Sequence, residues 1–364
     1  MHKTAASPLA VIYAVLIVYA SLYPFADWRD QGIAAWAFLL APRSPYWTGF
    51  DVVINVIGYV PFGSLLALSA LRSGRTSRPL VFAFLCATLL SLCMETLQSF
   101  LPVRVASRED WLLNTAGAWG GAIVTLLLEQ MGAIDRWSHF RKRWFVANSR
   151  GGLVLLATWP LALLFPAAVP FGVGQIFERI EAQVAEQFVD TPFSDWLPVR
   201  DIGLQPLLPS TELVCVLLGL LIPCLLGFCV IRPGIRRLLF VPVFIGLGTL
   251  ATVLSALLSW GPEHAWAWFD VPTQVGLVAA LILATLLSLV PTRTCPSLVL
   301  LGLGIYLSIL NQAPENPYFA QTLQEWEQGR FIRFNGLAQW LGWSWPYAVL
   351  GYALVLIWRR DTKN

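Results

Sequence analysis

The sequence predicts an all-α, polytopic membrane helix bundle of about ten transmembrane helices. Three observations carry that prediction. The 364-residue chain is 57% hydrophobic and 12% charged, with a mean hydropathy of +0.66, whereas soluble domains carry about 25% charged residues. Its apolar residues gather in runs of about 18 or more, the length a helix needs to cross a bilayer. Its basic residues concentrate in alternate connections between those runs.

Ten runs fit, at 8–25, 52–71, 79–100, 111–131, 151–171, 211–231, 237–260, 273–290, 296–312 and 341–358. The first is long for a signal-peptide core, and no small-residue cleavage site follows it in YPFADWRD, so it is expected to be a retained helix. Only VPTRTCP separates 273–290 from 296–312.

Orientation follows from the basic residues of short loops. One set of connections carries Arg72, Arg75 and Arg78, then Arg136, Arg141, Lys142, Arg143 and Arg150, then Arg232, Arg236 and Arg237, then Arg293, and ends at Arg359, Arg360 and Lys363. The other set is acidic or mixed. Its longest member, 172–210, holds Glu178, Glu181, Glu186, Asp190, Asp195 and Asp201 against Arg179 and Arg200. With Lys3 at the start, this places both termini in the cytoplasm.

Two connections have their own pattern. In GQIFERIEAQVAEQFVD (174–190), Ile176, Ile180, Val184 and Phe188 repeat every four residues opposite a Glu and Gln face, which predicts an amphipathic helix on the outer surface. The Trp-rich stretch from Asn316 to Pro346 reads as interfacial anchoring. The basic DRWSHFRKRW marks a domain boundary, giving a four-helix domain over 1–131, a linker over 132–150 and a six-helix region over 151–364. Six cysteines lie in or beside apolar runs with no CxxC pair, so neither a disulfide nor a metal site is expected. The net charge of +3 is small, and no nucleic-acid partner or cofactor is expected.

Against this background the polar residues of SLCMETLQSFLPVRVASREDWLLNTAGAWGG (91–121) stand out. Glu95 and Gln98 share one face near the end of the third run, Glu95 roughly 9 Å inside it. Asp110 and Asn114 share a face at the start of the fourth run, and Asp51 and Asn55 at the start of the second. Three helices thus present acid–amide pairs at one depth, with Arg104 and Arg108 in the turn above, describing a polar pocket open to the outside. Read singly, Asp51 and Asp110 could be N-caps, and Gln98 and Asn114 interhelical glue contributing about 0.6–2 kcal/mol each. Glu95 is different, because a carboxylate below the interface costs about 2.5–3.5 kcal/mol and needs a partner or a purpose, Arg104 being the nearest partner in sequence.

The order D51-x3-N55-x3-Y59-x-P61-F62-G63, E95-x2-Q98-x5-R104, D110-x3-N114-x2-G117 resembles the VanZ-like family of integral membrane proteins over residues 9–131. The E-x2-Q-x-F-x-P-x-R-x5-D-x3-N string is its most specific part. The family's usual aromatic-and-basic pair near the second helix is replaced here by VVINVIGY. The resemblance implies a multi-pass protein of the bacterial cytoplasmic membrane, a link to teicoplanin resistance, and functional roles for Asp51, Asn55, Tyr59, Glu95, Gln98, Arg104, Asp110 and Asn114.

Three functions follow as expectations. The first is binding an amphipathic cell-envelope ligand, such as a lipid headgroup or lipid-linked sugar, with Arg104 on a phosphate or carboxylate. Membrane lipids or a lipid-linked precursor would be the partners, with a membrane-protein partner docking on the C-terminal helices. The second is an enzyme using Glu95 and Asp110 as an acid–base pair, although no Ser-His, Cys-His, zinc or phosphate-loop pattern accompanies them and the only histidines are His2, His139 and His264. The third is a proton-coupled transporter, against which the charges sit near one surface and no inverted repeat is visible.

Overall fold

Each of the ten apolar runs holds a helix in the computed structural model, which describes residues 6–23, 25, 27–41, 49–74, 78–147, 149–188, 204–314 and 332–361. The helices are α1 (Ala6–Leu22), α2 (Gly49–Ser73), α3 (Pro79–Gln98), α4 (Arg108–Gln130), α5 (Ala133–Trp144), α6 (Arg150–Ala162), α7 (Phe177–Phe188), α8 (Pro209–Val230), α9 (Ile235–Trp260), α10 (Val271–Leu287), α11 (Cys295–Leu310) and α12 (Ile332–Asp361). Among the described residues α2, α3, α4, α8, α9 and α12 are long and apolar enough to cross a membrane, while α1, α10 and α11 are apolar but shorter, at 16 or 17 residues. Lys3, Arg75, Asp190, Asp195, Arg200, Asp201 and Lys363, part of the charge alternation, lie outside the described residues, as does 315–331 of the Trp-rich stretch.

Local signals set the helix ends. Pro79, Pro209 and Pro272 occupy first-turn positions, where proline lacks only an N–H that would be unbonded anyway. The Asp270 carboxylate caps α10 by accepting the Thr273 N–H. The predicted amphipathic helix at 174–190 is α7.

The chain forms two units, Met1–Phe140 and Arg141–Asn364, with α5 carrying the junction. In the first, α1 to α4 pack together around Tyr59, Phe62, Ala67, Ala83, Ala87, Met94, Leu101, Ala118 and Ala122. Helices α2 and α4 approach so closely that a methyl on Gly63, Gly117 or Gly121 would overlap the backbone carbonyl of Ala118, Val56 or Val60. Small residues at such a crossing let helix backbones meet where lipid supplies no hydrophobic drive. The outward faces of α2 and α3, with Ile54, Ile57, Phe82, Leu85 and Leu89 exposed, suit hydrocarbon.

In the second unit α8 is the central helix, buried along almost its whole length from Cys215 to Val230, and α6, α9, α10 and α11 pack around it. Here two expectations are corrected. The predicted span at 151–171 is helical only as far as Ala162, and residues 163–176 then run as buried irregular chain. Pro166 and Pro170 explain the stop, since proline pushes the residue before it out of helical geometry. Non-helical backbone at such depth requires protein partners. The Tyr306 hydroxyl accepts the Val173 N–H at 2.6 Å and donates to Phe171 O at 3.0 Å. Asn311 Oδ1 accepts from Ile176 and Phe177, and the Tyr347 hydroxyl donates to Gly174 O. Arg237, counted above as a loop charge, is fully buried in the first turn of α9, its guanidinium donating to the carbonyls of Phe228, Ile231, Ser288 and Val290 and to the Thr292 hydroxyl.

Candidate functional site

The site grows out of the turn between α3 and α4. Ser107 is the N-cap of α4, its hydroxyl accepting the Asp110 N–H at 3.3 Å. In a capping box the N3 acid would reach back to the N-cap amide. Here N3 is Asp110, and its carboxylate instead accepts from Asn55 Nδ2 of α2 at 2.7 Å. The N-cap amide is taken by Glu95 of α3, whose Oε2 accepts the Ser107 N–H at 2.9 Å. Asp110 is therefore not the cap that its position alone suggested. Glu95 is 3% exposed, and the N-terminus of α4, with its unbonded N–H groups and positive dipole end, stabilises both it and Asp110.

Arg104 stands at the opposite kind of helix end. Its guanidinium donates to the carbonyls of Ala20 and Tyr23 at the C-terminus of α1, where the dipole favours a cation. Gln98 joins the same end, Nε2 donating to Ser21 O at 3.0 Å. Residues after α1 fold against the end of α3, the Arg29 N–H bonding to Phe100 O and Gln31 Nε2 to Ser99 O.

Deeper in the bundle Asn114 Nδ2 donates to Ser91 Oγ at 3.0 Å. The Tyr59 hydroxyl, on a residue 6% exposed, faces Ser91 without reaching hydrogen-bond geometry. Its ring packs edge-on against Phe62, 6.4 Å between centroids. Asn114 Oδ1 is likewise buried with no partner. The Tyr59 hydroxyl and the Asn114 carbonyl oxygen are thus two buried polar atoms near Ser91 without a hydrogen-bond partner.

Of the eight sequence-predicted residues, the structure brings Asn55 to Asp110 directly and joins Glu95 to Asp110 through the Ser107 cap. Asn114 and Tyr59 converge on Ser91, while Gln98 and Arg104 converge on the last carbonyls of α1. Asp51 lies in the first turn of α2, and its side chain is outside the described residues. Ser91 and Ser107 were missed. Ser91 is four residues before Glu95 and so on its face, a usable signal, and Ser107 is the third residue before Asp110, the usual N-cap spacing.

Long apolar helices around a small buried polar cluster define a multi-pass helical membrane protein. Residues 7–129 match the family model described as VanZ/LLP1, so the first unit is similar to that family, and the second unit lies outside the match. No curated protein and no solved structure matches the chain.

Proposed function

We propose that the polar cluster of the first unit recognises the polar part of an amphipathic cell-envelope ligand, such as a lipid headgroup or a lipid-linked sugar. The observation that carries the reading is the pair of open atoms beside Ser91, one a donor on Tyr59 and one an acceptor on Asn114. A buried polar atom without a partner costs about 1–3 kcal/mol, and native proteins rarely leave two together. A hydroxyl or amide of a bound molecule would satisfy both. Glu95 and Arg104, held on opposite helix ends, would frame its charged portion.

The family resemblance adds a link to teicoplanin resistance, which fits a cell-envelope ligand, and the bacterial cytoplasmic membrane as location. An acid–base role for Glu95 and Asp110 has less support, because the described carboxylate bonds are structural, Glu95 taking the N-cap amide of α4 and Asp110 tying α4 to α2. A second reading is favoured by the bonds from Asn55 to Asp110, Gln98 to Ser21 and Asn114 to Ser91: each ties one helix to another, as a structural lock would.

Tyr59→Phe separates the two readings, since it removes only the open hydroxyl. Native mass spectrometry of full-length wild type should show a retained lipid or lipid-linked glycan that Tyr59→Phe loses at unchanged thermal midpoint. A Tyr59→Phe protein that retains the same species, or a wild type that retains none while Tyr59→Phe is more stable, rules out recognition and leaves the lock.

A further inference from the structure

Helix α4 ends at Gln130, and Gly132, with a φ of +68°, turns the chain directly into α5. The sequence of α5, AIDRWSHFRKRW, sorts by face. Trp137, Phe140 and Trp144 recur at helical spacing on one side. The rings of Trp137 and Phe140 stack at 5.5 Å, are 55% and 40% exposed, and belong to neither hydrophobic core. Arg136 and Arg143 border this stripe on one flank and Arg141 on the other, with Lys142 at the far pole.

Four basic side chains therefore accompany a single carboxylate, Asp135, which lies 3.9 Å from Arg72. Among the described residues no carboxylate reaches ion-pair distance of Arg141, Lys142 or Arg143. Exposed aromatic rings rimmed by cations, immediately after a helix long enough to span, match the boundary between acyl chains and anionic headgroups. The rings fit the glycerol level and the guanidinium groups the phosphates, which they can hold with paired hydrogen bonds.

We infer that α5 is an in-plane anchor that binds the headgroups of anionic phospholipids. This surface is separate from the Tyr59–Asn114 cluster. Full-length protein in nanodiscs of POPC, and of POPC mixed with POPG, tests it by hydrogen–deuterium exchange over 133–144. POPG should slow exchange there several-fold in the wild type. In R141Q/K142Q/R143Q the POPG effect should largely vanish, since each basic side chain at an anionic surface favours it about fivefold. W137A/F140A should exchange faster in both lipids. Equal wild-type exchange in the two lipids, a POPG response that survives in the triple variant, or unchanged exchange in W137A/F140A overturns the anchor.

Discussion

Asn55 Nδ2 and Asp110 Oδ1 lie 2.7 Å apart, a charge-assisted hydrogen bond that joins α2 to α4. The bond depends on how near the two helices come. That nearness rests on Gly63, Gly117 and Gly121, which face backbone atoms of the opposing helix. Polar pairing and small-residue packing are therefore one construction, with the hydrogen bond at the end of the crossing and the glycines along it.

Replacing Asn55 tests the polar half. Asn55→Ala removes the donor and should lower stability by about 1–2 kcal/mol, the upper range for hydrogen bonds between membrane helices. Asn55→Asp should be worse, because it sets a second carboxylate at 2.7 Å from the first. Thermal unfolding of the purified full-length protein at neutral pH would rank them. An Asn55→Asp protein as stable as Asn55→Ala would mean that Asp110 is not held there as a carboxylate.

The packing half has a control inside the same helix. A Cβ on Gly121 would meet Val60 O, whereas one on Gly120 would meet nothing within 4 Å. Gly121→Ala should therefore force α2 and α4 apart at a cost of about 1–3 kcal/mol. Gly120→Ala should be neutral or stabilise by up to about 1 kcal/mol, through helix propensity alone. Equal midpoints for the two variants would show that the crossing does not limit stability.

What the sequence reveals follows from helical periodicity. The i, i+3 and i, i+4 spacings of Glu95 with Gln98, Asp110 with Asn114 and Asp51 with Asn55 mark common faces before any coordinates exist. Which face meets which is another matter, since it depends on rotation and rise between helices. So Glu95 meeting the Ser107 amide and Asn55 meeting Asp110 were not legible. Hydropathy likewise places α6 but cannot stop it, because residues 163–171 are as apolar as the helix before them. Pro166 and Pro170 were the available signal, and the side chains that make the irregular stretch tolerable, Tyr306, Asn311 and Tyr347, come from distant sequence. Counting charges misjudged Arg237 for the same reason, since an arginine next to Arg236 at a helix start looks like any loop cation.

Arg237 carries the last prediction. It is fully buried beside the Phe228 ring, 5.4 Å from its centroid, and its fork of N–H groups gathers carbonyls from the end of α8 and the end of α10. Those carbonyls are the ones a helix terminus leaves without partners. A lysine keeps the charge but offers three donors from one point, so it cannot span Phe228 O on one side and Val290 O on the other. Arg237→Lys should therefore cost about 3 kcal/mol, as bonds to a charged donor are lost and the ammonium stays buried. Thermal unfolding gives the magnitude, and hydrogen exchange gives the place, with amides at 228–232 and 288–292 exchanging faster in the variant. Exchange that rises evenly over the whole unit, or a midpoint equal to that of the wild type, would show that these helix ends are held by packing and not by the guanidinium.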